Sequence, residues 1–164
     1  MGCPGCFNPQ THGREEAGEE ESVADVMGRI LAEGTEGLTV SGGEPLQQAE
    51  AVVALLEAAR AAGLSTLLFT GLAWEEVLRL PLAQRIMRCV DVLLAGRYVA
   101  ERRVAAGLLG SANQTVHLLS PRHTLEEIAA TPEAEAVILP DGRVVLSGIL
   151  QASAAFPLKR GQVF

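Results

Sequence analysis

Leu38-Thr39-Val40-Ser41-Gly42-Gly43-Glu44-Pro45 sets the reading of the whole chain. A short run of apolar and β-branched residues predicts a strand over Gly37 to Ser41, and two glycines and a carboxylate follow it directly. From there 46–62 repeats apolar residues at helical spacing and stops at Gly63. The unit is a strand, a glycine turn and a helix. Upstream, Ser22 reads as an N-cap, and Val23, Val26, Met27, Ile30 and Leu31 recur at helical spacing until Gly34, predicting a helix over 22–33. Downstream, Leu64 to Phe69 is a buried strand ending in Thr70-Gly71. A helix seeded by Trp74, Val77 and Leu78 comes next, and another precedes Cys89. Asp91 to Ala95 predicts a third strand ending at Gly96, Thr115 to Leu119 a fourth, and Thr124 to Ala130 a short helix. Val137 to Leu139 and Val144 to Leu146 form a hairpin around Asp141-Gly142.

Strands alternating with helices specify an α/β fold with a mainly parallel sheet, and the hairpin is expected as an edge addition. No linker, repeat or low-complexity tract divides residues 1–164, which are read as a single domain. In such sheets chemistry gathers beyond the C-terminal strand ends. Here those ends carry Ser41-Gly42-Gly43-Glu44, Thr70-Gly71 and Gly96-Arg97, three polar, glycine-rich segments expected on one rim.

The chain has 164 residues, 48% of them hydrophobic, enough for a packed core. No stretch approaches the roughly 20 apolar residues of a membrane span. No secretory signal precedes Cys3, so a cytoplasmic protein without a membrane partner is expected. A net charge of -7 argues against a nucleic-acid partner, which calls for clustered Lys and Arg. The acidic run Glu15, Glu16, Glu19, Glu20 and Glu21 reads as a solvated approach to the first helix. Lys159 is the lone lysine, and a C-terminal tail is a poor place for a Schiff base.

Cys3-Pro4-Gly5-Cys6 is the feature with the most chemistry. In a reducing compartment a Cys-x-x-Cys reads as a zinc half-site, a redox pair or part of a cluster site. A thioredoxin-like pair should open a helix, whereas Pro9, His12 and Gly13 follow this one. A zinc site would recruit His12 or Cys89, but Cys89 stands in an apolar setting that suits a buried, inert thiol. At Ser41-Gly42-Gly43-Glu44 the glycines let the backbone approach a ligand, and the carboxylate can accept from an amine or hydroxyl; an ordinary strand-to-helix turn reads the same way.

Taken together, these segments resemble the small radical S-adenosylmethionine activating enzymes, above all the activating proteins of anaerobic ribonucleotide reductase. The resemblance rests on Cys3-Pro4-Gly5-Cys6-Phe7-Asn8, on Ser41 to Leu46, on Thr70-Gly71 with Trp74-Glu75-Glu76, on Asp91 to Arg97, and on Gly110-Ser111-Ala112-Asn113-Gln114. It implies a partial (β/α) barrel-like, mainly parallel sheet of the radical S-adenosylmethionine type. It implies a [4Fe-4S] cluster held by cysteines, Cys3 and Cys6 among them, with one iron left open for the methionine amine and carboxylate. Reductive cleavage of S-adenosylmethionine would then yield a 5'-deoxyadenosyl radical that installs a glycyl radical on a partner enzyme of the anaerobic ribonucleotide reductase kind. A flavodoxin- or ferredoxin-type protein would donate the electron. By the same resemblance Gly42, Gly43 and Glu44 receive the methionine amino group, Phe7 and Asn8 lie near the adenine, and Ser41, Thr70, Gly71 and Arg97 complete the cofactor site.

Two departures go with it. The family's three-cysteine motif would begin two residues before Met1, so the chain is expected to lack the first cluster cysteine and the first strand, and to be impaired as it stands. Ala95 stands where the reductase activators often carry Asp. Two other readings stay open: an inactive remnant serving as a binding or regulatory module, and a zinc or redox module built on Cys3, Cys6 and His12. Trp74 is expected in the core, and His117 and His123 as satisfied or surface histidines. Arg97 is a candidate for a carboxylate or the partner, with Asn113 and Gln114 as further candidates on the strength of the resemblance.

Overall fold

The computed structural model describes residues 20–132, 134–139 and 141–148. Cys3, Cys6, Phe7, Asn8 and His12 lie outside these residues. Helix α1 (Val23–Ala32) begins where its cap predicts, with the Ser22 hydroxyl accepting from the Asp25 amide at 3.1 Å. Strand β1 (Gly37–Val40) leads through the glycine turn into a 3-10 turn at Pro45–Gln48 and then α2 (Ala49–Ala61). Strand β2 (Ser65–Thr70) is followed by the single-turn α3 (Trp74–Val77) and by α4 (Ala83–Cys89), which delivers β3 (Val92–Ala95). A 3-10 turn at Ala100–Arg102, β4 (Arg103–Ala106), β5 (Leu109–Ser111), β6 (Thr115–Leu118) and α5 (Leu125–Ala129) precede the hairpin of β7 (Ala134–Ile138) and β8 (Val144–Gly148).

The main sheet has the order β1-β2-β3-β6, with β1, β2 and β3 mutually parallel and β6 antiparallel to β3. The architecture is therefore mixed α/β with a mainly parallel, open sheet, and no closed barrel forms among the described residues. The antiparallel β6 departs from a run of parallel strand–helix units, and its cause is local. The chain leaves β3 at Ala95, stays on that side of the sheet through the β4–β5 hairpin, and re-enters at Thr115, which pairs with Ala95. Without a crossover helix the returning strand must run the opposite way. The β7–β8 hairpin forms where the Asp141-Gly142 turn predicts, but as a separate two-stranded sheet instead of an edge addition to the main one.

Strand β3 is buried at all four positions, as a strand covered on both faces should be. Its alternation divides the core in two. Leu93 and Ala95 pack with Val53, Leu56, Leu68, Val77 and Ile86 on the side of α2 and α4. Val92 and Leu94 face Ile128 of α5 together with Leu108 and Leu109 of the β4–β5 hairpin. A smaller cluster of Met27, Ala59 and Leu64 seats α1 on α2. Among the described residues no helix is long and apolar enough to cross a membrane.

Candidate functional site at the C-terminal rim of the sheet

The three polar strand ends do meet, and hydrogen bonds between them build the rim. After β1 the chain turns at Gly42, whose φ of +117° is one that side-chain-bearing residues rarely adopt, and open space lies where a Cβ would sit. Glu44 then caps the Pro45–Gln48 turn: its Oε1 accepts from the Leu46 amide at 3.0 Å. Pro45 needs no partner at this first position because it has no N–H. The same carboxylate reaches across to β2. Thr70 Oγ1 donates to Glu44 Oε1 at 2.7 Å and the Gly71 amide donates to Oε2 at 2.8 Å. Glu44 is buried, 9% exposed, and stitches the ends of β1 and β2 together. Of the roughly four acceptor directions of a carboxylate, three are already taken by the protein.

The third strand end joins through Gly96. Its amide donates to the carbonyls of Thr70 at 3.1 Å and Leu72 at 2.8 Å. Gly96 sits at φ +114°, and an added Cβ would lie 3.3 Å from Gln114 Cα, so this turn needs glycine for both conformation and room. A second loop clips this one from above. The Gln114 side chain donates to the Gly96 carbonyl at 3.0 Å while its oxygen accepts from the amides of Gly110 at 2.9 Å and Ser111 at 3.1 Å. Asn113 Nδ2 donates to the Arg97 carbonyl at 2.7 Å, and the buried Ser111 hydroxyl accepts from the Val99 amide at 3.1 Å. The Arg97 side chain is exposed, and its guanidinium has no partner among the described residues. Asn113 Oδ1 is buried with no hydrogen-bond partner, the single such side-chain atom among the described residues.

Beside this rim Trp74 stacks on His117, with ring centroids 3.8 Å apart and planes within 10°. Trp74 also packs against the core, as expected of it. Burial lowers the His117 pKa below the ordinary imidazole value, an effect that the negative charge of Glu75 opposes. His117 Nε2 meets Thr115 Oγ1 at 2.9 Å, and His123 Nε2 meets Ser65 Oγ at 2.6 Å, so both rings are satisfied within the fold.

Cys89 is 2% exposed in the core, and its thiol pKa is pushed up to about 11, first by burial and then by the Glu57 carboxylate. Its thiol donates to the Ile86 carbonyl at 3.7 Å, and Cys89 packs in the core as the sequence leads one to expect. Among the described residues no group of three or more His, Cys, Asp or Glu side chains could hold a metal ion.

A polar centre that the sequence reading passed over lies at the opposite end of the sheet. Asp91 is fully buried, and its carboxylate accepts from Arg60 at 2.5 Å, from the Thr66 amide at 3.0 Å and from the hydroxyls of Thr66 and Ser120. Burial pushes its pKa up, but the hydrogen bonds from Ser120, Arg60 and Thr66 outweigh that and hold it below the ordinary carboxylate value. The available signal was an Asp inside an otherwise apolar run, Val90 to Ala95.

The sheet is an open, mainly parallel α/β sheet with a glycine-rich polar rim, and in folds of this class chemistry gathers beyond the C-terminal strand ends. The family profile described as "4Fe-4S single cluster domain" matches residues 1–117, more than two thirds of the chain, and the protein belongs to that family. The match covers Cys3 and Cys6 together with the strand ends of β1, β2 and β3. It makes this an iron–sulfur protein with a [4Fe-4S] cluster. No curated protein matches the sequence.

Proposed function

We propose that the protein is a radical S-adenosylmethionine enzyme that activates a glycyl-radical partner of the anaerobic ribonucleotide reductase kind. The observation that carries this reading is the convergence of the Glu44, Thr70-Gly71 and Gly96-Arg97 strand ends on one rim, in a chain of the single-cluster [4Fe-4S] family. Cys3 and Cys6 would supply two of the cluster's thiolate ligands. When bound, the cluster supplies the electron that cleaves the sulfonium carbon–sulfur bond of S-adenosylmethionine, giving methionine and the 5'-deoxyadenosyl radical that abstracts hydrogen from the partner's glycine.

The residues of the rim fit that co-substrate. The exposed guanidinium of Arg97 offers a forked donor to its carboxylate, and the orphaned Asn113 Oδ1 calls for a hydrogen-bond donor. The open turn at Gly42 lets a ligand approach the backbone there without meeting a side chain. The Glu44 stitch holds the β1 and β2 ends in register, so the cradle is set before the ligand arrives. The domain is proposed to run through 1–164, with Phe7 and Asn8 near the adenine and a flavodoxin- or ferredoxin-type electron donor.

Electron paramagnetic resonance of the anaerobically reconstituted and reduced protein tests the reading. Adding S-adenosylmethionine is expected to change the cluster signal. A spectrum indifferent to saturating S-adenosylmethionine would refute it.

A further inference from the structure

The main sheet ends at β6, which pairs with β3 on one side and with no strand on the other among the described residues. Hydrogen bonds fix which of its peptide groups face the open side. The Leu119 amide donates to the Asp91 carbonyl at 2.8 Å, one step beyond the Val92–Leu118 pair, and hydrogen-bonded pairs in an antiparallel ladder recur at every second residue. His117 and Thr115 therefore bond to Leu93 and Ala95, while the N–H and C=O groups of Val116 and Leu118 turn outward. Those outward groups have no partner among the described residues.

Sheets commonly guard such an edge with proline, lysine, an inward-pointing charge or a bulge. Thr115–Leu118 pairs in unbroken register and carries no proline, lysine, arginine or carboxylate. The edge also leads to the rim. Its first residue, Thr115, lies opposite Ala95, beside the Gly96 turn that the Gln114 side chain clips. An extended segment laid antiparallel along β6 would run parallel to β3 and end at that rim.

The proposed reaction asks for such a guest. Its target is a glycine, and with no side chain nothing but main chain marks the residue itself. Strand addition is recognition of that kind, in which main-chain hydrogen bonds supply the affinity. Resting on the reading of the protein as a glycyl-radical activator, we propose that the open edge of β6 receives the partner's glycine-bearing segment as an added antiparallel strand. Val116 and Leu118 exchange main-chain hydrogen bonds with it, and the glycine follows the paired stretch, beyond Thr115 at the rim.

Hydrogen–deuterium exchange of the full chain, reconstituted anaerobically and read at single residues, tests this with a capped peptide, acetyl-Thr-Val-Thr-Val-Gly amide. Recognition through the main chain does not need the partner's own sequence. Without peptide the Val116 and Leu118 amides are expected to exchange fast, and the His117 amide, bonded to Leu93, slowly. Peptide at about ten times its Kd is expected to slow Val116 and Leu118 roughly tenfold and to leave His117 as it was. The same peptide N-methylated at every residue has no donor and is expected to protect neither. Val116→Pro removes an outward N–H and spares the ladder to β3, so Leu118 should lose its protection in a protein that stays folded. Val116 and Leu118 as slow as His117 without peptide, no slowing with it, or equal protection by the N-methylated peptide overturns the proposal. S-adenosylmethionine takes no part in this exchange, so such a failure leaves the cofactor reading standing. A cluster signal indifferent to S-adenosylmethionine overturns that reading whatever the edge binds.

Discussion

Replacing Glu44 by Gln separates a structural carboxylate from a ligand-binding one. In the folded protein Oε1 accepts from Leu46 and Thr70, and Oε2 accepts from the Gly71 amide at 2.8 Å. Glutamine can keep the first two bonds by presenting its oxygen, but its NH2 then faces the Gly71 N–H, donor against donor. One hydrogen bond is lost and a partly buried amide N–H is left without an acceptor, which costs about 1–3 kcal/mol. For a chain of 164 residues that corresponds to a fall in Tm of roughly 2–12 °C. Thermal unfolding followed by circular dichroism reads it. Thr70→Val removes the hydroxyl that donates to Oε1, a bond that Glu44→Gln keeps, so the two changes should be close to additive in a double-mutant cycle. An unchanged Tm in Glu44→Gln, accompanied by weakened binding of S-adenosylmethionine, would show that the carboxylate faces the ligand.

Other expectations follow from the same geometry. Asp91 is held below its unfolded pKa of ~3.9, so its contribution to stability is complete above roughly pH 5 and is lost as pH falls through the folded value. Urea titrations of Asp91→Asn should show less stability at neutral pH and a shallower loss on acidification than the unaltered protein; parallel curves would contradict this. Gly107→Ala places a Cβ 2.4 Å from the Ile128 carbonyl oxygen at a φ of +57°. It should cost about 1–3 kcal/mol or more by separating the β4–β5 turn from α5, and an unchanged unfolding midpoint would refute that packing. With its thiol pushed up to about 11 and buried, Cys89 should resist iodoacetamide at pH 8 in the folded protein and react fully in urea. Mass spectrometry that found Cys89 alkylated in the native state would contradict its place in the core.

Elements with local causes were legible in the sequence. The Ser22 cap and the helical spacing of Val23 to Leu31 give α1 to within a residue, and the apolar run before Gly96 gives β3. The hairpin at Asp141-Gly142 was legible as a turn but not as a separate sheet, because pairing partners are not local information. The β4–β5 hairpin went unread: Val104 to Leu109 is mostly Ala, Gly and Leu, with little β-branched character to mark strands. The direction of β6 was hidden for a related reason, since it depends on how the loop of 96–114 folds back on itself.

For the site, the spacing of strands and glycines was enough to anticipate that Ser41 to Glu44, Thr70-Gly71 and Gly96-Arg97 share a rim. What each side chain does there was not. Glu44 looked available to an amine because its partners, Thr70 and Gly71, lie 26 and 27 residues away. Asn113 was a candidate on the resemblance alone, because an orphaned oxygen exists only once the fold has closed around it.

The central proposal is that this member of the single-cluster [4Fe-4S] family cleaves S-adenosylmethionine reductively. Liquid chromatography with mass spectrometry of the anaerobic, reconstituted and reduced protein incubated with S-adenosylmethionine tests it most directly. From protein whose iron and sulfide content shows a complete [4Fe-4S] cluster, the account predicts 5'-deoxyadenosine and methionine in equal amounts, both diminished in Arg97→Ala; such a protein that leaves S-adenosylmethionine intact when reduced contradicts it.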